Sequence, residues 1–311
     1  MTMPSDFYHR DIVSAKEFTL QSMERLFDET DSLTAEMNRA GILSTCKGSL
    51  LATVFLEPST RTRLSFQFAM ARMGGQVIDF GLAEAASVAK GETFEDSMRM
   101  VDGYGPNVIV VRNKEAGSAR LAADICKAPV INAGDGSNEH PTQALLDLYT
   151  IRKVRGSIAG VKIGMMGDLA HSRTTASLSY VLDRYPGVEI VFIAPRELQI
   201  RAEVTSSLAH AKFSTADDCD QVIDGLDFLY VTRLQKERFS DPREYERLKG
   251  SYLLDRAFLA RHSKVPYIMH PLPRVDELNK DVDEMPQAKY FEQARNGMYV
   301  RAALLEQILN G

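Results

Sequence analysis

The chain has 311 residues, 44% of them hydrophobic and 25% charged, and its formal net charge is -5 at pH 7. Its length allows two ordinary domains, and its composition excludes a disordered or fibrous protein. The acidic balance argues against a protein that binds nucleic acid regardless of sequence, because such binding needs a basic face.

The three cysteines predict reduced thiols in the cytoplasm. They are odd in number, widely spaced and form no CxxC pair, which disfavours both a disulfide framework and a zinc site. The first residues carry charges and lack the apolar block of a secretory signal. No segment approaches the roughly 20 apolar residues of a membrane span. We therefore expect a cytosolic protein that binds neither a metal nor a membrane.

Short apolar runs alternate with helical patterns along the chain, and these runs are the predicted strands. They are residues 49–56, 76–80, 107–112, 129–133, 161–166, 189–194, 226–231 and 267–270. Helical segments begin near Ser59, Glu92, Ser118, Pro141, Thr174, Arg201 and Glu244, and a final amphipathic segment covers residues 291–311. Apolar strands separated by helices are typical of a parallel sheet that is covered on both faces.

This alternation predicts the α/β class, with two doubly wound parallel-sheet domains of similar strand number. The helix at residues 140–156 falls between the two sets of strands, and we expect helices to join the domains. The final helix is expected to fold back on the first domain. The predicted boundaries are residues 1–141 with the C-terminal helix to residue 311, and residues 142–294.

Polar segments follow most of the predicted strands. They are EPSTRTR, Arg112, GDGSNEHPTQ, GDLAHSR, TRLQKER and PLPR. In sheets of this kind, ligands bind outside the carboxyl ends of the strands. Arginine recurs among these segments, which solubility alone does not explain.

The segment STRTR combines the features of an anion site. Ser59 is a suitable N-cap, and the helix start offers N–H groups and a partial positive charge to a phosphate. The hydroxyls of Thr60 and Thr62 and the guanidinium of Arg61 would complete a cradle for a dianion. Taken alone, the segment is more commonly an exposed helix start with capping residues.

The segment HPTQ suggests a second group of ligands. His140 precedes a proline at the first helical position, which would hold its imidazole at a helix start. Gln143 lies about one turn further and could offer a donor and an acceptor to an amide-like substrate. A lone histidine is more often structural, so this segment by itself leaves both roles open.

Two later segments offer cationic or polar groups after strands. GDLAHSRT lacks the third glycine of a dinucleotide-binding turn, so we interpret Arg173 as a ligand of a carboxylate or phosphate. Arg233 and Gln235 occupy alternate positions after a strand and could face the same side.

A proline-rich segment and a polar loop each allow an ordinary explanation as well. The prolines of HPLPR are expected to fix an extended backbone, so that the carbonyls of Pro271 and Leu272 could accept hydrogen bonds. The alternative is an ordinary proline-rich loop. Ser87 and Lys90 are either a basic finger that closes on an anion or part of an exposed loop.

Taken in order, these segments resemble the catalytic chains of the aspartate carbamoyltransferase family. They are PSTRTRLSF, the loop with Ser87 and Lys90, NAGDGSNEHPTQALLDL, GDL followed by Arg173, TRLQKER and MHPLPRVDE. Ornithine carbamoyltransferases typically carry HCLP where this chain has HPLP, which favours aspartate over ornithine or another amine as acceptor. A protein that binds phosphorylated metabolites without catalysis is the alternative from another class.

The resemblance implies a role for each candidate residue in binding carbamoyl phosphate. The phosphate would be bound by Ser59, Thr60, Arg61 and Thr62, with Arg112 beside them. The carbamoyl oxygen would be polarised by Thr62, Arg112 and His140. The amino group would be held by Gln143 and by the carbonyls of Leu272 and Pro273. By the same resemblance, residues 1–141 with the C-terminal helix form the domain that binds carbamoyl phosphate.

The resemblance also implies the second substrate and the assembly. Arg173, Arg233 and Gln235 would bind the two carboxylates of aspartate, within the domain of residues 142–294. Ser87 and Lys90 match a loop that in this family reaches the active site of a neighbouring subunit, which implies a homotrimer with shared sites. A regulatory chain is left open as a further partner.

The implied reaction belongs to de novo pyrimidine biosynthesis. The amine of aspartate attacks the carbamoyl carbon directly, with no covalent enzyme intermediate and no cofactor. Such catalysis depends on positioning and on electrostatic stabilisation of the developing charge.

Overall fold

The computed structural model describes residues 5–80, 91–235, 243 and 253–310. These residues form two compact units. The first comprises the residues up to Leu146 together with those from Arg295 onward, and the second comprises those between Asp147 and Ala294.

The first unit contains a four-stranded parallel sheet. Its strands are β1 (Leu50–Phe55), β2 (Gln76–Phe80), β3 (Val108–Asn113) and β4 (Val130–Asp135). Their order in the sheet is β2-β1-β3-β4, and every adjacent pair is parallel. Among the described residues, four helices belong to this unit alone: α1 (Leu20–Ala40), α2 (Thr60–Arg72), α3 (Phe94–Gly103) and α4 (Ser118–Ile125).

The core of the first unit explains why these apolar runs form strands. Small and branched side chains of β1, β3 and β4 pack with side chains of α3 and α4; the strands contribute Ala52, Val54, Ile109, Val111 and Val130, and the helices contribute Met98, Val101 and Ala122. Burying a large apolar side chain contributes roughly 1.5–3 kcal/mol. A sheet covered by helices therefore needs apolar residues on both faces of its strands.

The second unit contains a five-stranded parallel sheet. Its strands are β5 (Lys162–Met166), β6 (Glu189–Ile193), β7 (Lys212–Ala216), β8 (Phe228–Val231) and β9 (Tyr267–Met269). They are ordered β7-β6-β5-β8-β9, again with parallel pairs throughout. The predicted α/β class with two parallel sheets is confirmed.

The remaining helices lie in the second unit or contain residues of both units. Helix α5 (Pro141–Arg155) and helix α9 (Tyr290–Asn310) contain residues of both. Helices α6 (Arg173–Leu182), α7 (Ala202–Thr205) and α8 (Arg256–Leu259) belong to the second unit. Short 3-10 turns cover Ala15–Glu17, Arg196–Leu198, Cys219–Gln221, Ile223–Gly225 and Lys280–Val282.

Strand β7 and helix α1 are among the elements that were not predicted from the sequence. Strand β7 reads KFSTA and lies at the edge of its sheet with mostly exposed side chains, so it has no apolar run. Helix α1 is rich in polar residues, but it buries an apolar face that includes Met23, Leu26 and Phe27. Thr19 caps this helix, and Ser22 completes the capping box.

The helices differ in detail from the predicted starts and lengths. Helix α2 ends at Arg72, shortly before Gly74 and Gly75. Helix α3 starts at Phe94 rather than near Glu92, because the hydroxyl of Thr93 accepts a hydrogen bond from the N–H of Asp96 at 3.1 Å and caps it there. The helix predicted near Arg201 is only four residues long. The helix predicted near Glu244 lies outside the described residues.

None of the helices among the described residues is both long enough and apolar enough to cross a membrane.

Candidate active site

In the first unit, the predicted anion ligands follow the carboxyl ends of three neighbouring parallel strands. Residues 59–62 follow β1, Arg112 lies at the end of β3, and His140 follows β4. Because β1, β3 and β4 are adjacent and parallel, these three ends lie along one edge of the sheet. The fold thus brings together residues that are separated by about 80 positions in the sequence.

The start of α2 differs in one respect from the capping arrangement predicted for it. Ser59 occupies the N-cap position with extended backbone angles, but its hydroxyl makes no capping hydrogen bond. Thr60 and Arg61 begin the first turn with exposed side chains, whereas Thr62 is buried. The Thr62 hydroxyl lies 3.4 Å from Nε2 of His140, so two of the predicted ligands meet.

Arg112 links the loop after β1 to the end of β4. Its Nη1 donates to the carbonyl of Ala133 at 3.1 Å, and its Nη2 lies 3.3 Å from Oε1 of Glu57. The pairing of β3 with β4 shifts its register between Val111 and Asn113, which places Arg112 at an irregularity of the kind that re-aims side chains. Only 11% of the Arg112 side chain is exposed.

A network of buried polar groups holds the backbone just before His140. The Asp135 carboxylate accepts hydrogen bonds from the N–H groups of Gly117 at 2.8 Å and Glu139 at 3.2 Å, and from the Asn132 amide at 2.9 Å. Glu139 in turn accepts hydrogen bonds from the Ser14 hydroxyl at 2.6 Å and the Ala15 N–H at 2.7 Å. Burial raises the pKa of Glu139 despite these donors.

His140 and Gln143 lie at the start of α5, as the sequence predicted. Both side chains are buried, and the N–H of Gln143 donates to the carbonyl of His140 at 3.0 Å. The proline at the first helical position needs no hydrogen-bond acceptor for its nitrogen, which suits a helix start. The two residues are therefore fixed by the backbone of one helical turn.

In the second unit, the loop after β5 is built on Gly167 and Asp168. Gly167 has φ of 119°, and a Cβ there would lie 2.1 Å from the carbonyl oxygen of Thr232, so only glycine fits beside the end of β8. Arg173 begins α6, and Ser172 caps that helix by accepting a hydrogen bond from the N–H of Thr175 at 3.3 Å.

Asp168 connects this loop to the segment that carries Arg233 and Gln235. Its side chain is fully buried. One carboxylate oxygen accepts from the N–H of His171 at 3.1 Å and contacts Nδ1 of the same residue at 2.9 Å. The other oxygen accepts from the N–H of Gln235 at 3.3 Å. The loops after β5 and β8 are thereby joined by Asp168, a residue that was not singled out from the sequence.

The backbone of HPLPR differs from the extended form that its prolines predicted. Leu272 has φ of 55°, and the peptide bond between Leu272 and Pro273 is cis. The Leu272 N–H donates to Nδ1 of His270 at 2.8 Å. Neither His270 nor its carboxylate partner Glu277, 2.8 Å away, was singled out from the sequence.

Ser87 and Lys90 lie outside the described residues. Within the described part of the chain, no group of three or more His, Cys, Asp or Glu side chains is arranged to hold a metal ion.

Comparison with protein-family models gives two matches that together cover nearly the whole chain. Residues 10–153 match the carbamoyl-P binding domain of aspartate/ornithine carbamoyltransferase, and residues 159–308 match the Asp/Orn binding domain. The chain belongs to the aspartate/ornithine carbamoyltransferase family. The predicted family and the predicted class of enzyme, a carbamoyltransferase, are both confirmed.

Individual members of this family are similar over nearly their full length. The aspartate carbamoyltransferase catalytic subunit of Methanopyrus kandleri is 48% identical over 310 residues, covering 99% of each chain. The solved catalytic subunit of aspartate transcarbamoylase from M. jannaschii is 46% identical, with a TM-score of 0.88 over 96% of this chain and 98% of that one. The aspartate transcarbamoylase of Trypanosoma cruzi, solved in complex with carbamoyl phosphate, is 36% identical, with a TM-score of 0.93 over 98% of each chain.

Proposed function

We propose that this carbamoyltransferase transfers the carbamoyl group of carbamoyl phosphate to the amino group of L-aspartate, in pyrimidine biosynthesis. The products are N-carbamoyl-L-aspartate and phosphate. The observation that carries the proposal is the grouping of Thr62, Arg112 and His140 at one sheet edge, beside the start of α2. The choice of aspartate is supported by the names of the similar proteins from M. kandleri and T. cruzi.

In this proposal the first unit binds carbamoyl phosphate. The start of α2 offers backbone N–H groups and a partial positive charge to the phosphate dianion. The phosphate ligands are the side chains of Ser59, Thr60, Arg61, Thr62 and Arg112. The carbamoyl oxygen faces Thr62, Arg112 and His140, and the amino group faces Gln143 and the carbonyls of Leu272 and Pro273.

The second unit then binds aspartate. Arg173, Arg233 and Gln235 are the ligands of its carboxylates in this proposal. The buried Asp168 supports the assignment, because it joins the loop that leads to Arg173 with the backbone of Gln235. Guanidinium groups suit carboxylates, since their planar N–H groups can pair with both oxygens.

The chemistry follows from the charges that these residues supply. The neutral amine of aspartate attacks the carbamoyl carbon, a new C–N bond forms, and the bond from that carbon to the phosphate oxygen breaks. One proton passes from the attacking nitrogen to the leaving phosphate. In this proposal negative charge grows on the carbonyl oxygen, and Thr62, Arg112 and His140 donate hydrogen bonds to it. Removing one such donor from a preorganised site costs on the order of 3 kcal/mol.

Phosphate release by the purified chain tests the reaction. With carbamoyl phosphate present, aspartate should support phosphate release and ornithine should not. If ornithine supported phosphate release and aspartate did not, the choice of aspartate as acceptor would be overturned. Calorimetry that finds carbamoyl phosphate binding, together with no release for any amine, would instead indicate a binding protein without catalysis.

We further propose that the chain forms a homotrimer in which Ser87 and Lys90 complete the site of a neighbouring subunit. Apolar surface suited to contact between copies is present in the first unit. Phe68 on α2 and Ile78 on the edge strand β2 are 60% and 59% exposed, and Leu64 of α2 is 40% exposed. Exposed apolar side chains on packed neighbouring elements are a common feature of protein interfaces.

Mixing two inactive variants tests the shared site. Lys90→Ala and His140→Ala chains should each be inactive, and refolding them together should restore part of the activity, because a mixed trimer can assemble an undamaged site. Mixed trimers, verified by mass spectrometry of differently tagged chains, that stay inactive would contradict sharing. Two His140→Ala chains with different tags provide the matched control.

The state of the cysteines fits the proposed cytoplasmic location. Cys46, Cys126 and Cys219 all carry free thiols. Burial raises the pKa of Cys46 to about 11 and the pKa of Cys219 to about 12. The thiols therefore stay protonated at neutral pH, which is the less reactive form.

A further inference from the structure

A buried hydrogen-bonded chain in the second unit ends at the backbone of Leu272. His270 and Glu277 are 1% and 8% exposed. Nε2 of His270 lies 2.8 Å from Oε1 of Glu277, and Nδ1 of the same ring accepts the Leu272 N–H at 2.8 Å. The imidazole thus connects a carboxylate on one side to a peptide N–H on the other.

These contacts determine which ring nitrogen carries the proton. Nδ1 must be an acceptor, because the group that faces it is a peptide N–H. Nε2 must therefore be the donor, and its partner must accept. Although burial would raise the pKa of Glu277, the hydrogen bonds from His270 and from the N–H of Val275 lower it overall. The ionised carboxylate can only accept, which favours the required tautomer.

Both ends of this hydrogen-bonded chain are themselves held by further hydrogen bonds. The N–H of His270 donates to Oε1 of Gln293 at 2.9 Å, and the Gln293 amide donates to Asp147 at 2.6 Å. On the other side, the backbone carbonyl of Glu277 accepts from the N–H of Leu254 at 2.9 Å. The position of Nδ1 is therefore fixed by the surrounding backbone.

The residue held in this way has an uncommon conformation. Leu272 has φ of 55°, a region that costs a leucine energy and persists only where its surroundings impose it. The hydrogen bond from its N–H to His270 is one such constraint. Loss of that bond would let the Leu272 backbone relax and would move the carbonyl that follows.

We propose that His270 and Glu277 are positioning residues, which hold the carbonyl of Leu272 where it accepts a hydrogen bond from the amino group of the carbamoyl substrate. The inference rests on the proposed function, because it needs carbamoyl phosphate as the substrate. The two side chains act through the Leu272 backbone and touch no reacting atom themselves. They set the affinity for carbamoyl phosphate more than the affinity for aspartate.

Two substitutions at His270 separate positioning from general support of the fold. In asparagine the amide atoms are attached to Cγ, as Nδ1 is, so His270→Asn keeps an acceptor for the Leu272 N–H. In glutamine the amide atoms lie one bond further out, near the position of Nε2. His270→Gln therefore removes the acceptor of the Leu272 N–H. Both variants remove the imidazole from the core and should lower Tm by similar amounts.

The test measures kcat and both KM values for wild type and the two variants. His270→Gln should raise KM for carbamoyl phosphate by at least about fivefold, because the Leu272 N–H loses its acceptor. KM for aspartate should change by less than about twofold, and His270→Asn should restore most of the affinity for carbamoyl phosphate. Equal KM values for the two variants, or unchanged KM with a lowered Tm, would overturn the positioning role.

A control and a second variant complete the design. His262→Gln is the matched control, because His262 is a largely buried histidine beside the carboxylate of Asp220, 3.0 Å away, in the same unit. It should leave both KM values unchanged. If His270→Gln does not fold, Glu277→Gln replaces it: a neutral amide no longer enforces the tautomer, so KM for carbamoyl phosphate should still rise. An unchanged KM there would overturn the proposal.

The wild-type chain distinguishes the two levels of inference. Its phosphate release with carbamoyl phosphate and aspartate tests the proposed function by itself, whereas the ratios of variant to wild-type KM test the positioning role. If the wild type is active and the variants keep wild-type KM values, only the positioning role of His270 and Glu277 is overturned. An inactive wild type would overturn both.

Discussion

Asp168→Asn is the substitution whose effect on aspartate binding can be worked out most directly from the structure. The buried carboxylate accepts from the N–H of His171 with one oxygen and from the N–H of Gln235 with the other. Asparagine offers only one oxygen, so in either orientation its NH2 group faces one of these backbone donors. The volume hardly changes, and the perturbation is therefore confined to hydrogen bonding and to the loss of one negative charge.

The cost of that mismatch sets the expected size of the effect. A buried donor without its acceptor costs about 1–3 kcal/mol. If the whole cost appears in substrate binding, the affinity falls by roughly 5- to 150-fold. We expect this loss in the affinity for aspartate, because the loops leading to Arg173 and Gln235 are no longer joined. KM for carbamoyl phosphate should change much less.

Initial rates at varied aspartate, with carbamoyl phosphate saturating, measure the effect, and thermal unfolding measures the accompanying loss of stability. Asp183→Asn is the matched control, since Asp183 is also buried and accepts from the N–H groups of Ala209, His210 and Ala211. It should lower Tm without raising KM. The reasoning is refuted if Asp168→Asn leaves KM for aspartate within about twofold of wild type, or if Asp183→Asn raises it equally.

Two further predictions concern catalysis and pH. Arg61→Ala should reduce turnover about a hundredfold or more, with an unchanged circular dichroism spectrum because the side chain is exposed; near-normal turnover would exclude it from the site. Burial and the nearby Glu29 carboxylate raise the pKa of Glu306, so its contribution to stability is complete below the ordinary carboxyl pKa and is lost as pH rises through the raised value. Glu306→Gln should therefore raise Tm near neutral pH and lose this advantage in acid, whereas a Tm difference independent of pH would contradict the assignment.

The sequence was most informative where one local pattern determined one local structure. Continuous apolar runs predicted eight of the nine strands among the described residues, with ends that differ from the structure by a few residues. Parallel strands place their carboxyl ends at one edge of their sheet. The polar segments that follow the strands could therefore be assigned to that edge from the sequence alone. The contact between Thr62 and His140 confirms that these two segments meet.

The sequence was least informative where the partner of a residue is remote. Asp168 accepts from Gln235, 67 positions away, and Glu139 accepts from Ser14, 125 positions away. With 42 acidic residues in the chain, composition cannot indicate which of them are buried acceptors. Strand β7 was missed for a related reason, since an exposed edge strand forms by pairing with β6 and not through an apolar run of its own.

Three loops that precede or carry proposed ligands each contain a buried carboxylate that accepts backbone N–H groups, and a single physical requirement accounts for this. Asp135, Asp168 and Glu277 all accept backbone N–H groups from the loops that precede or carry the proposed ligands. A loop that must expose its polar groups to a charged substrate cannot be held by apolar packing, because apolar cover would exclude the substrate. A buried carboxylate can accept several N–H groups of such a loop at once. The polar groups of rigid loops need not reorient when charge develops in the transition state. Electrostatic catalysis is most effective under this condition.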